Sequence, residues 1–265
     1  MVHVPYLNPL PLVSVIRLQG MIASGSNPGR LNDAGLAPVI EAAFRRGKPK
    51  AVALIINSPG GSPVQSALIA ARIRRLADET KLPVHAFVED VAASGGYWLA
   101  TAADDILVDG NSIVGSIGVI SAGFGLHEFI NRYGVERRVY TSGKSKSQLD
   151  PFRPENPDDV TRLRALQDQV HQNFIAHVTA RRGARLAQDE GLFTGEFWVG
   201  ARAIELGLAD GLGHLVPVIK ERYGEHVRFR HYGVRRPFLA RFGLSLLNEA
   251  VMEAQERALF ARFGI

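Results

Sequence analysis

"AVALIINSPGGSPVQSALIAARIRRLADE", residues 51–79, holds the reading of the fold in one stretch. Its opening apolar run has the length of a strand and no polar alternation, the pattern of a strand buried on both faces. The "SPGG" next to it reads as a tight turn. Ser62 and Pro63 then open a helix, serine as the N-cap and proline in the first turn. A strand that feeds a helix through a glycine turn belongs to a parallel α/β sheet, where function gathers at the carboxyl ends of the strands.

The same grammar extends in both directions. "LVSVIRLQGMI" (12–22) reads as a strand and "LNDAGLAPVIEAAFRRG" (31–47) as a helix ending on glycine. "VHAFVE" (84–89) is the next strand, followed by a short helix after Ser94 and the strand "DILVD" (105–109). Beyond a glycine- and serine-rich segment (110–123), a helix is expected near 126–133 and a strand at "VERRVYTSG" (135–143). The proline-rich "DPFRPENPDD" (150–159) reads as a joint rather than a domain boundary, because the long helix after it (160–182) looks like cover for the same sheet. Residues 194–213 read as a loop, a helix and a glycine stop. Residues 1–235 are therefore expected to form one α/β domain, and 236–265 an amphipathic C-terminal helix (Pro237 to Phe263).

Composition narrows the chemistry. The chain has 265 residues, 46% of them hydrophobic and 22% charged, which are globular values. No stretch approaches the roughly 18 apolar residues of a membrane span, and the first residues lack the basic and apolar regions of a secretory signal. A cytoplasmic location is expected, with membrane association as a further option. The absence of cysteine excludes disulfides, thiolate metal sites and a cysteine nucleophile together. The net charge of +5 is spread over arginines that alternate with acids, so a solvated surface is expected and no nucleic-acid partner.

"DVAASGGYWLA" (90–100) sets a lone serine between alanines and glycines where a strand should turn into a helix. A serine hydroxyl needs a base to become a nucleophile. None of the eight histidines has an orienting carboxylate at a telling spacing; His85, His127, His171 and His177 all read as structural or surface residues. A desolvated lysine can serve instead, and "TSGKSKSQLDPF" (141–152) offers Lys144 and Lys146, between which periodicity does not choose. The glycines of "NSPGGS" (57–62), together with Gly95, can turn bare backbone N–H groups toward a developing oxyanion. No cluster of histidines and carboxylates has metal-ligand spacing, so neither metal nor cofactor is expected.

Five segments in order, "INSPGGS", "VAASGGYWLA", "VGSIGVI", "TSGKSKSQLDPF" and "FTGEFWVGARAIELGLADGLG", resemble the signal peptide peptidase A family of serine peptidases, over about 12–213. That family has the fold of the Clp protease proteolytic subunit and the crotonases. The resemblance implies repeated ββα units with mostly parallel sheets. It also implies Ser94 as nucleophile, Lys146 as general base (Lys144 falls at a variable position), Ser116 holding the lysine, and Gly60, Gly61 and Gly95 as the oxyanion hole. The substrates it implies are signal-peptide remnants or other unfolded or membrane-derived peptides, and the assembly a ring-shaped homo-oligomer. Two departures stand: no N-terminal membrane span is visible, and "GKSK" lacks the aromatic that often precedes the base. The alternatives are a crotonase-like enzyme acting on acyl-CoA and a catalytically silent scaffold of the same fold. The tail helix has three candidate resting places: a neighbouring subunit, its own domain or a membrane surface.

Overall fold

The computed structural model describes residues 10–25, 30–143 and 145–233, with 254, 257, 258 and 260–264 near the C-terminus. The chain divides into two compact units, Met1–Ile117 with Ile175–Ile265, and Gly118–Phe174. The proline-rich joint lies inside the second of these.

The first unit is built on one sheet. Strands β1 (Leu12–Gln19), β2 (Ala51–Ser58) and β3 (Val84–Ala93) pair side by side and parallel. Strand β3 carries two short partners on its outer edge, β4 (Asp105–Val108) along its first half and β5 (Ile113–Gly115) along its end. Strand β6 (Phe197–Val199) pairs antiparallel with β5 and leads into the short helix α6 (Gly200–Glu205), and β7 (Gly211–Leu212) pairs with β4. On the far side β8 (Arg228–Tyr232) runs parallel to β1.

Every residue of β2 is buried, as the unbroken apolar run requires. One face of the sheet, with Val13, Val15, Ala53, Ile55 and Phe87, packs on Ile219 of helix α7 (Leu215–Tyr223). Alternation sends Ile16, Leu18, Leu54 and Ile56 to the other face, and all four are fully buried. On the helical side, α1 (Asp33–Arg45) packs on β1 and on α2 (Pro63–Thr80), and α2 meets the short α3 (Gly95–Ala100). The caps explain where the long helices start. Asn32 accepts from the Gly35 N–H at 2.8 Å, and Ser62 accepts from the Gln65 N–H with Pro63 beside it.

The second unit contains α4 (His127–Arg132) and most of the long helix α5 (Pro157–Arg182). The strand expected over 135–143 does not form. The segment finds no ladder; instead Arg137 reaches Asp150 at 2.9 Å and lies over the Phe152 ring. Conversely the structure adds β5, β6, β7, β8 and α7, none of which the sequence pattern announces. Strand β5 is three residues hidden in a glycine- and serine-rich run, and β8 is an edge strand whose arginines mask its pattern. Most of the expected tail helix lies outside the described residues. Phe260 and Phe263 pack beside Val91, Ala93 and Ile113.

Polar contacts lock α3 and the end of α5 into the first unit. Tyr97 is fully buried, its hydroxyl donates to the Leu208 carbonyl at 2.9 Å, and burial pushes its phenol above the ordinary range. His177 stacks on Trp98 at 4.5 Å. The Thr101 hydroxyl donates to the Trp98 carbonyl at 2.7 Å and lies 2.9 Å from His177 Nε2. Burial, helped by the charge of Arg181, lowers the His177 pKa to about 4. Arg182, 3% exposed, donates to the Gly207 carbonyl and twice to Asp210, at 2.8 and 3.1 Å. Burial opposes ionisation of Asp210, but Arg182 and the Ile106 N–H outweigh it and hold the carboxyl below its usual range.

These contacts have two measurable consequences. Arg182→Ala strands a half-buried carboxylate and a carbonyl, and is expected to cost about 3 kcal/mol in urea unfolding at pH 7. For His177, the unfolded ring takes up its proton near 6.5 and the folded ring only near 4. Stability from this site is therefore complete above pH 6.5 and lost as pH falls toward 4, by up to about 3 kcal/mol. Urea curves at pH 7 and pH 4.5 are expected to show a smaller acid loss for His177→Gln than for the wild type.

Candidate active site

Strands β2 and β3 end at the same edge of the sheet, and the site lies where they end. Their register is regular as far as Ile56 opposite Val88; the next pair is Ser58 opposite Ala92. Strand β3 thus spends four residues where β2 spends two, a bulge of the kind that bends a strand and redirects the chain beyond it. The residue just past the end of β3 is Ser94. Its backbone has φ +52° and ψ −120°, a left-handed turn costly for a residue with a Cβ. The turn is held on both sides: the Ser94 N–H donates to the Gly115 carbonyl at 2.8 Å, and its carbonyl accepts from Trp98 at 3.0 Å. Its hydroxyl caps no helix N–H and has no hydrogen-bond partner among the described residues. The side chain is presented, not packed.

The glycine loop after β2 closes against this corner. A Cβ on Gly60 would stand 2.8 Å from the Ala93 carbonyl and the Gly95 nitrogen, and 2.9 Å from Ser94 Cβ, so only glycine permits the approach. Ile22 holds the loop from outside. Its N–H donates to the Gly60 carbonyl and its carbonyl accepts from Ser62, both at 2.8 Å. That bridge uses the groups on either side of Gly61 and leaves the Gly61 N–H facing the other way. The Gly61 nitrogen lies 3.3 Å from the place a Gly95 Cβ would occupy. Gly95 opens α3, so its N–H has no acceptor within the helix. Among the described residues neither amide has a hydrogen-bond partner. Two free donors beside a presented hydroxyl can stabilise an oxyanion formed on an acylated serine.

Ser116 follows Gly115, the residue opposite Ala93, and so sits just past the same pair of strand ends as Ser94. It also has positive φ, +52°, and its N–H donates to the Glu196 carbonyl at 2.6 Å. Lys146 belongs to the second unit. There it is exposed, in a turn where its N–H donates to the Gly143 carbonyl at 3.2 Å. Lys144 lies outside the described residues. The structure thus gathers Ser94, Gly60, Gly61, Gly95 and Ser116 within the first unit, and describes Lys146 in another.

One reading of the histidines changes. His85 does have a carboxylate partner, Asp105 at 2.6 Å, with the Tyr223 hydroxyl at 2.7 Å on its other nitrogen. The pairing arises from the register of β3 with β4, which sets residue 85 opposite 105, a relation that spacing along the chain does not reveal. It lies at the start of β3, roughly 30 Å of extended chain before Ser94, and ties α7 to the sheet. Sequence reasoning also missed Asn57 and Asp90, whose side chains meet at 2.5 Å behind the two loops. Among the described residues no group of three histidines or carboxylates could hold a metal ion.

Comparison with known proteins supplies the family. Residues 77–225 match peptidase family S49. The chain is 45% identical over 271 residues to a Brucella melitensis protein named Na(+)/H(+) antiporter NhaA, covering 96% of this chain and 37% of that protein. It is 32% identical to the Synechocystis protein slr0021, which carries a protease name, over 76% of this chain and 69% of that one. It is also 32% identical to the chloroplastic serine protease SPPA of Arabidopsis thaliana, over 77% of this chain and 31% of that protein. The chain therefore spans little more than a third of the Brucella relative, and among its described residues no helix is long and apolar enough to cross a membrane. In fold it is similar to the 1510-N membrane-bound stomatin-specific protease solved with a substrate peptide, with a TM-score of 0.55 at 15% identity over 93% of this chain and all of that one. With the sheet, the glycine loop and the serine corner in place, the chain belongs to peptidase family S49, the signal peptide peptidase A family of serine peptidases.

Proposed function

We propose that this chain is an endopeptidase that cuts extended peptides through an acyl-enzyme, with Ser94 as nucleophile and Lys146 as general base. The observation that carries the reading is the Ser94 hydroxyl, held out by a strained turn beside the unpartnered amides of Gly61 and Gly95. The neutral amine of Lys146 takes the Ser94 proton as Oγ forms a bond to the peptide carbonyl carbon. The oxyanion is stabilised by the Gly61 and Gly95 N–H groups, with Gly60 shaping the loop. The lysine ammonium then protonates the leaving nitrogen as the C–N bond breaks. A water gives its proton to the amine, attacks the ester and releases Ser94 with its hydrogen.

A lysine does this only when water is stripped from it, because burial is what lowers its pKa. Lys146 is exposed in the chain as described, so this reading requires the assembled enzyme to cover it, with the Ser116 hydroxyl directing the amine. An extended substrate would pair with backbone along the glycine loop as a strand does. Signal-peptide remnants and other unfolded or membrane-derived peptides suit such a groove.

The second unit supports assembly from several copies. It exposes Phe124 at 85%, Tyr140 at 90% and Ile120 at 67%, and also Phe129 and Tyr133, whose rings meet tilted at 4.9 Å. So many bare apolar side chains on one small unit support an interaction surface, and a homo-oligomer, in ring form, would cover it.

Purified wild type is expected to hydrolyse casein or a leader peptide, and Ser94→Ala and Lys146→Ala to fold normally but lose at least about 10³-fold in kcat. Activity in Lys146→Ala with none in Lys144→Ala would assign the base to the other lysine; activity in both Ser94→Ala and Lys146→Ala would end the dyad reading. Light scattering is expected to give an oligomeric mass for the wild type and a smaller one for Phe124→Asp combined with Tyr140→Asp.

A further inference from the structure

The β3 bulge suggests a residue outside the reacting groups that sets their geometry. Between Val88 and Ala92 the strand is fastened at three points. Glu89 takes a two-pronged bond from Arg17 on β1, at 2.6 and 2.9 Å. Ser112, ahead of β5, donates its hydroxyl toward the Glu89 and Val88 carbonyls, at 2.5 and 3.1 Å. Asp90 accepts from Asn57 Nδ2 at 2.5 Å. The first two bind the bulge to the outer parts of the sheet. The third binds it to the start of the glycine loop.

From Asn57 the connection to the oxyanion amides is short. Asn57 is only 8% exposed, and its backbone carbonyl accepts from Gly20 at 2.9 Å. The next residue, Ser58, donates its hydroxyl to the Gly20 carbonyl at 2.7 Å and accepts from the Gly60 N–H at 3.2 Å. Asn57 Oδ1 has no hydrogen-bond partner among the described residues, so the bond to Asp90 is what orients that buried amide. Asp90, by contrast, is exposed. Its carboxylate adds little to the core, yet it stands four residues before Ser94 and grips the loop that ends in Gly60 and Gly61.

We propose that Asp90 is a positioning residue: through Asn57 it holds the Gly60–Gly61 loop at the distance from Ser94 that the oxyanion requires. The proposal rests on the peptidase reading of the site. Misplacement of such donors is felt in the transition state more than in the bound substrate. The effect therefore belongs in kcat rather than in KM.

The test compares full-length variants by peptide hydrolysis, thermal unfolding and hydrogen–deuterium exchange of the 57–62 segment. Asp90→Ala is expected to lower kcat by about 10- to 100-fold, with KM within about two-fold and Tm within a few degrees of wild type. Exchange over 57–62 is expected to rise. Asp90→Asn, which keeps an acceptor oxygen of the same reach, should return kcat to within about five-fold of wild type. Asn57→Ala should match Asp90→Ala, and the double variant should add nothing to either, as partners in one bond do. Arg17→Gln, which loosens the bulge without touching the glycine loop, should stay within about two-fold. The proposal is overturned if Asp90→Ala keeps its kcat and its exchange, if Arg17→Gln costs as much, or if KM moves instead. Activity surviving in Ser94→Ala would sink the peptidase reading, while the exchange measurement would still decide whether Asp90 fastens the loop.

Discussion

Everything at the candidate site depends on two parallel strands ending side by side at unequal lengths of chain. Strands β2 and β3 share a regular register until the bulge lets β3 run on. That extra length brings the serine turn over the end of its neighbour, where the glycine loop lies. Without the bulge the two loops would leave the sheet in step. The close approach of Gly60 to the Ala93 carbonyl and Ser94 Cβ would then have no cause.

A strained turn persists only where its surroundings over-determine it. Here the surroundings are specific. The turn is bonded on one side to β5 through Gly115 and on the other to the first turn of α3. Helix α3 is buried throughout, anchored by the Tyr97 hydroxyl and by the stacked His177. The end of α5 is locked in turn by Arg182 on Asp210, which also caps the start of β4 through Ile106. The polar groups are deep, few and paired, so they add direction to a core whose stability comes mainly from apolar burial.

The division of the chain has a chemical counterpart. The serine, its flanking amides and Ser116 are parts of one unit, whose sheet makes their spacing rigid. Lys146 belongs to the other unit, where it is exposed. On the proposed reading a neutral amine requires a dry place, so the nucleophile would be preformed in the first unit and the base completed by whatever covers the lysine. Such an arrangement would couple activity to assembly.

The sequence alone determined the parallel α/β character and the loops that leave the strand ends. An unbroken apolar strand, a capped helix and glycine turns are local patterns, and local physics is what a sequence carries openly. The serine corner and the glycine loop were legible for the same reason. The tertiary structure decided what depends on register and on partners far along the chain. The expected strand at 135–143 had β-branched residues but no ladder to join, whereas β5 and β8 had weak patterns and strong partners. His85 met Asp105, and Asn57 met Asp90, only because strand pairing set them opposite or adjacent. Hydrogen-bond partners tens of residues apart leave no periodic trace; the sheet alone brings them within reach.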